Sequence, residues 1–537
     1  MKLLVFFTSI AAAVFSVAVM TYISMVVPFG PWVAPTLVLM TSFFFRGVLR
    51  HEFKKEALAL VVISGSIGGI IGTAFGFSFP TLYFLAPQVF NSWLQSPFYF
   101  VSIVFCLSLV AGGFGFIFAN LLEHEVLIEE GLRFPVAQMV AGLINAQEKF
   151  KKAKELMIGF ACAAFYSVLQ IKWFGVRVLP RVLTLWNPFC ICGQNFSVCF
   201  PAVKFHFDTM PLLLSIGFVA GKYVGLPLFI GTATKYFLVD PIEHFFFSDI
   251  ESPDFLLAFC SGMIFTSASL GFMSAPRFII NGIKNFWLKR KAWEMIGDKA
   301  SRLRFWEIVI YTPFVISFFY FFEMSIWQQL YLFFGVVVAI YQVVYIAGNT
   351  GLAPLGRFAT FVMVPALFIF DSGFVQITFI ATFVEVSIGV AVDVLFGRKI
   401  GLLLDLEKNK LVRYQALGLI VSSLFVGIVL WLLIKNFGLG SDELLAQRAQ
   451  IRALLINFNS FNLWVALLGS IFGYILFLCN QNSMLILSGF LMPLDYCIGL
   501  ILGSIISWFI NDTEKYLPLV SGIFTYNSFW MFLRCFF

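Results

Sequence analysis

Charge is scarce in this chain. Only 12% of its 537 residues are Asp, Glu, Lys or Arg, about half the roughly 25% of an ordinary soluble domain. That excludes a chain of soluble globules with charged surfaces. Histidine is scarcer: there are four, and no two are spaced to hold a metal together. Phosphate-cradling Gly-x4-Gly-Lys-Ser/Thr is missing. The near miss GFVAGKY (Gly217–Tyr223) is one residue short and ends in Tyr, so it reads as a helix carrying one lysine. HExxH, GxSxG and GxGxxG are missing too. An ATP-driven pump, a membrane hydrolase and a dinucleotide enzyme therefore lack their motifs. The sequence implies no enzyme, no cofactor and no resident metal.

Oil is abundant. Hydrophobic residues make up 60% of the chain and aromatics 18%, with 70 phenylalanines. Repeated apolar runs of roughly 20 residues can each cross a hydrocarbon core of about 30 Å. The runs are Leu3–Val27, Trp32–Leu49, Ala57–Phe79, Phe98–Leu122, Leu156–Ile171, Leu212–Val239 and Phe255–Phe272 in the first half. The second half holds Phe305–Phe322, Leu330–Ala347, Leu352–Phe370, Val375–Phe396, Gln415–Ile434, Leu463–Cys479, Met484–Met492, Cys497–Phe509 and Leu517–Phe532. These predict an all-α polytopic membrane protein of about 14–16 membrane elements, with the bilayer as its main partner. The segment Phe134–Ile144 is too short to cross, which predicts a re-entrant or half helix. Leu212–Val239 is interrupted by Gly221, Gly225 and Pro227 and is expected to break in two. Gly65, Gly69, Gly72 and Gly76 form a small-residue ladder for close helix packing.

The formal charge of +7 sits in short loops between the runs, at 46–55, 147–154, 284–304 and 398–413. This is an orientation signal, not a nucleic-acid surface. It places those loops and the N-terminus in the cytosol and the 178–208 loop outside, in a bacterial-type inner membrane. The most basic loop divides the chain into a first transmembrane half (1–283), a connector (284–304) and a second half (305–537). Cys190, Cys192 and Cys199 lie in the outer loop. Free thiols, a bridge from Cys199 to Cys190 or Cys192, and a soft-metal site with His206 all remain open.

Charges inside runs carry the functional signal, because each costs about 2.5–3.5 kcal/mol at a helix centre on insertion scales. They are Glu323, Asp371, Glu385, Asp393, Lys222, Lys235 and Asp495. Glu323 and Asp371 sit at span ends, where interfacial anchoring explains them. Glu385 lies in mid-span, so a cavity-facing role is expected. Asp393 either pairs with Arg398 or Lys399 or shares the pathway. At 100° per residue the two acids are about 80° apart around one helix and ~12 Å apart along it. They can line one broad face at two depths and let proton movement drive a change of access. A proton driven inward gains roughly 2.3 kcal/mol per 100 mV.

Five stretches, in order, resemble the oligopeptide transporter family, which includes the yellow stripe-like metal-chelate transporters. They are EEGLRFPVAQMVAGLI (Glu129–Ile144), MPLLLSIGFVAGKYVGLPLFIGTATKYFLVDPI (Met210–Ile242), GNTGLAP (Gly348–Pro354), VDVLFGRKIGLLL (Val392–Leu404) and SGFLMPLDYCIGLILGSII (Ser488–Ile506). The chain looks like a divergent member. Val136 and Ala137 replace a usual Ser-Gly pair, and Asn349 and Gly351 replace acids frequent in bacterial members. Ala353 replaces an Asn, and Gly397 stands in place of a second acid.

The resemblance implies two related halves and proton-coupled import of small oligopeptides, or else of siderophore-like metal chelates. A channel or lipid scramblase without proton coupling is the alternative from another class. Glu385 and Asp393 are the expected proton-linked residues. Glu130, Arg133 and Gln138, with Asn349 and Thr350, are expected to contact substrate between two half-helices, Phe134–Ile144 and Leu352–Phe370. The partners are then lipid, protons and a small peptide or peptide-like chelate, with no nucleic acid. A homodimer is compatible with this reading.

Overall fold

The computed structural model describes residues 2–27, 33–43, 55–145, 149–170, 182–186, 189–192, 197–200, 205–208, 211–242, 255–263, 265–266, 270, 311–350, 353–441, 443–457, 462–479, 481, 483–510, 515–516, 518–520, 522–523, 526 and 530. The basic loop at 46–54 and the connector 284–304 lie outside the described residues.

Among them, six helices are long and apolar enough to cross a bilayer: Leu3–Val26, Lys55–Leu85, Pro97–Glu129, Ile326–Gly348, Phe374–Leu403 and Lys408–Phe437. The chain is an integral, multi-pass membrane protein of all-α class. In chain order the helices are α1 (Lys2–Val26), α2 (Ala34–Phe43), α3 (Lys55–Ser78), α4 (Thr81–Leu85), α5 (Pro87–Gln95), α6 (Pro97–His124), α7 (Pro135–Asn145), α8 (Lys149–Gln170), α9 (Pro211–Ala220) and α10 (Lys222–Thr234). Then come α11 (255–263) and α12 (Tyr311–Phe321). After them follow α13 (Ile326–Thr350), α14 (Leu355–Phe370), α15 (Phe374–Leu403), α16 (Lys408–Phe437), α17 (Gln447–Ile456), α18 (Leu463–Leu478), α19 (Ser483–Leu491) and α20 (Leu494–Phe509).

Among the described residues, the 178–208 region also contains strands. Two small antiparallel sheets form there, β1 (Val182–Trp186) with β4 (Phe205–Asp208), and β2 (Phe189–Cys192) with β3 (Ser197–Phe200). The inner register sets Cys190 opposite Cys199.

The chain divides into two compact units that interleave in sequence. One is built from residues 1–150, 271–449 and 535–537, the other from 151–270 and 450–534. Each takes segments from before and after the connector.

The first unit holds all six long helices and is organised around α15. The most apolar stretch of α15 is entirely buried. Helices α3, α6, α7, α13 and α14 pack around it. The glycine ladder of α3 meets α1: a Cβ on Gly72 would stand 2.7 Å from Thr21 Oγ1 and 3.0 Å from the Val17 carbonyl oxygen. Only a bare Cα lets the two backbones approach so closely.

In the second unit the long apolar segment breaks as its sequence suggests. Gly221, at φ +59°, separates α9 from α10. Gly takes this left-handed backbone without a Cβ clash. Helix α10 ends in a wide turn, Lys235–Val239, where Lys235 Nζ donates to the Phe490 carbonyl at 3.0 Å. Phe490 lies in the last turn of α19, so the ammonium caps the negative end of that helix.

Candidate functional site

Glu385 is fully buried in the middle of α15. Ser78, the last residue of α3, donates its hydroxyl to Oε2. On another side lies the start of α14. Its Gly356 has no side chain, and two charged groups occupy the space beside it. A Cβ built there would lie 2.9 Å from Arg448 Nη1 and 3.3 Å from Glu385 Oε1. Guanidinium and carboxylate thus both lie within van der Waals reach of the same bare Cα.

Arg448 comes from the first turn of α17. The loop before it turns through Gly438 (φ +74°) and Gly440 (φ +79°) and reaches Ala446 at φ +46°. An alanine in left-handed backbone costs about 1–2 kcal/mol. The Ala446 N–H donates to the Met25 carbonyl at 2.7 Å, which ties the turn to the end of α1. The guanidinium carbon of Arg448 then rests 4.0 Å from the centroid of the Phe77 ring. Such a contact stabilises by about 0.5–2 kcal/mol, depending on desolvation. A cation in a helix's first turn opposes the helix dipole, so an anion near it restores the balance. Glu385 supplies that anion.

Asp393, eight residues further along α15, is also buried. Ser66 of α3 donates to its Oδ2 at 2.7 Å, and among the described residues Oδ1 has no hydrogen-bond partner. The two acids thus address the same neighbouring helix through two serines, which also shows that α3 and α15 run antiparallel.

The basic end of this span is not a loop. Arg398 is only 2% exposed and lies within α15, which continues to Leu403. It does not serve Asp393. Its Nε donates to Gln415 Oε1 at 2.6 Å, its Nη2 to Asn120 Oδ1 at 3.1 Å, and its Nη1 lies 3.6 Å from Glu123 Oε2. Lys408 also reaches Glu123, at 2.8 Å. Three helices of the first unit, α6, α15 and α16, are thereby tied together at one end of the central helix.

The turn that carries Glu130 and Arg133 docks on the end of α13. Helix α6 opens into a wider turn, Glu125–Glu129, and the chain reverses through Gly131 (φ +60°) and Phe134 (φ +47°) into the 11-residue α7. The Phe134 N–H donates to the Gly348 carbonyl at 2.8 Å, so the turn docks on the end of α13. Glu130, Arg133 and Gln138 are exposed on this turn and on α7. Asn349 and Thr350 close α13, and only their backbone is described. Two tyrosines of α13 hold the turn from below: Tyr345 and Tyr341 donate to Glu125 Oε1 at 2.9 and 3.3 Å. Helix α7 packs on α15, which links this junction to the helix carrying the acids.

Glu323 and Asp371 stand at helix ends in left-handed backbone, at φ +59° and +47°. The side chains of Cys190, Cys192 and Cys199 lie outside the described residues.

The reading of charges inside apolar runs missed Arg448, because 435–462 holds no run long enough to count as a span. A signal was present: Arg448 and Arg452 at i and i+4 in the otherwise apolar-rich QRAQIRALLI, behind a glycine-bearing loop. Ser66 and Ser78 gave no signal, since serines are common among small residues in packed membrane helices.

Residues 305–459 match the family described as OPT oligopeptide transporter protein. This bears out the resemblance over that stretch, which contains Gly356, Glu385, Asp393 and Arg448. The match covers under a third of the chain. The first-half motifs and Ser488–Ile506 lie beyond it. No curated protein matches the chain.

Proposed function

We propose that this chain is a secondary transporter that couples inward proton movement to the import of small oligopeptides across a bacterial-type inner membrane. One observation carries the reading. A carboxylate with no interfacial role, Glu385, is held in the buried stretch of α15 and faces both a serine hydroxyl and the first turn of α14. An insertion cost of about 2.5–3.5 kcal/mol is retained in membrane proteins mainly where the charge works in a pathway.

Broken helices expose backbone polar groups only where protein or a wet cavity receives them. The α6–α7 and α13–α14 breaks are such places. Glu385 and Asp393 are the groups that take and release the proton, and their partners on α3 fix both at defined depths. Glu130, Arg133 and Gln138, with Asn349 and Thr350, contact the peptide. The match of 305–459 to a family described by oligopeptide transport supports the substrate class.

The test is uptake of labelled trialanine into vesicles containing the purified chain. Inward acid-to-alkaline gradients should accelerate uptake, and a protonophore should abolish the acceleration. Equal uptake with and without the gradient would leave a passive channel as the better reading.

A further inference from the structure

We propose that Arg357 is the anchor for the substrate's carboxylate and that it faces a wet crevice at mid-depth in the membrane. This deepens the transport reading above and rests on it. The observation is a guanidinium without a counter-charge inside an apolar run. Arg357 stands in the first turn of α14 and is exposed. Among the described residues it makes no hydrogen bond, ion pair or ring contact.

Its depth follows from the helix beside it. A short turn at 371–373 joins the end of α14 to the start of α15, and α14 lies back along α15. A Cβ on Gly389 would stand 3.5 Å from Leu355 Cδ1, and Gly389 lies half-way along the 30 residues of α15. The first turn of α14 is therefore level with the middle of a span about 45 Å long. Leu355 and Gly356 both meet α15, at Gly389 and Glu385. One residue on, and 100° further round the helix, Arg357 leaves that contact.

Three things can satisfy an arginine in a membrane protein. Snorkelling to the headgroups fails here, because either interface is about 15 Å away and one side-chain stem does not span that. A lipid phosphate stays at the interface, equally far off. What remains is water with a visiting anion. A charge inside a span faces a cavity or a partner, so the exposed side of Arg357 faces the cavity. The transported molecule then supplies the counter-charge. A planar guanidinium takes a carboxylate by two parallel hydrogen bonds. The helix end adds to this pull: Pro354 at the N-cap gives the first turn no side-chain bond, which leaves the positive end of α14 to an anion. Every peptide has a C-terminal carboxylate whatever its side chains, so an anchor of this kind recognises the terminus and tolerates varied sequences. Arg357 also falls within the stretch 305–459 that matches the oligopeptide transporter family.

The experiment measures equilibrium binding of radiolabelled trialanine and trialanine amide to the full-length chain in detergent, alongside uptake of both in vesicles. The wild type should bind the acid about tenfold or more tightly than the amide, the size expected for a charge-assisted hydrogen bond. R357Q should bind the acid only as well as the amide, with its affinity for the amide unchanged, a pattern that mere loss of structure does not produce. R357K should keep part of the preference. A further variant reads the crevice itself: in R357C, a water-borne, positively charged methanethiosulfonate should modify residue 357 in vesicles, as measured by mass spectrometry of that segment. Equal or absent binding of acid and amide by the wild type, or an undiminished preference in R357Q, would overturn the anchor. So would a parallel loss of amide affinity in R357Q, which marks a structural role, or an unmodified R357C, which places the side chain against lipid. Gradient-driven uptake that persists beside any of these results leaves the carrier reading intact. Acid-selective binding without uptake would keep the anchor and overturn the carrier.

Discussion

Gly356 is the residue on which the geometry of the site turns. Its neighbours at 2.9 and 3.3 Å are side-chain ends, not backbone, so a methyl group can be admitted if they move apart. G356A should therefore fold with nearly wild-type thermal stability and transport more slowly. G356V should lower uptake at least about tenfold, since a branched side chain overfills a packed interior. If G356V transports like the wild type, Arg448 and Glu385 do not act together across that Cα. Arg398 answers a different question. It is buried and shared among Gln415, Asn120 and Glu123, so removing it leaves Glu123 without that cation. R398A should cost about 3–5 kcal/mol in unfolding experiments, the cost of breaking a buried pair. K408A, which removes a half-exposed partner of the same carboxylate, should cost no more than about 1 kcal/mol. Equal losses would mean that Arg398 is not the buried strut the contacts describe.

At the scale of elements, helix contacts depend on where glycines lie. Gly72 of α3 has Thr21 and Val17 of α1 within 3.0 Å of a would-be Cβ. Gly142 of α7 has nothing within 4 Å. G72V should destabilise by about 1–3 kcal/mol through overpacking, whereas G142A should be neutral or stabilise by up to about 1 kcal/mol, as expected in a helix. Thermal unfolding in one detergent compares the two. Much of this architecture was legible in the sequence. The runs at 57–79, 98–122, 375–396 and 463–479 became helices with shifts of a few residues, because lipid demands long apolar helices with satisfied backbones. The breaks at Gly221 and before Pro135 were also legible, since Gly and the shortness of the segment announce them. The hairpins were not, although VKFHFD (203–208) alternates apolar and polar residues as a half-buried strand does, because 178–208 as a whole reads as a polar loop. Arg398 was misplaced for a related reason. Hydropathy ends a span at the first cluster of charges, whereas α15 continues for about two further turns and buries its arginine against partners far away in sequence.

At the scale of the whole molecule, sequence position and spatial grouping part company. The compact units take chain from both sides of the connector, so no linear cut isolates one. The acids were found from sequence because a charge in an apolar run stands out. Their partners were not, because Ser66, Ser78 and Arg448 come from elements remote in the chain. The serines look like ordinary packing residues. What the long-range contacts create is one central helix whose two carboxylates are each held by a hydroxyl from α3, and this is the feature on which the transport reading stands. It makes a differential forecast: D393N should slow uptake yet keep some response to a pH gradient, while E385Q should lose the response altogether. The most direct measurement compares initial trialanine uptake by wild type and E385Q in vesicles, each with and without an imposed inward proton gradient. The account predicts gradient-stimulated uptake in the wild type and none in E385Q, with E385Q still folded by thermal unfolding. Undiminished stimulation in folded E385Q would contradict it.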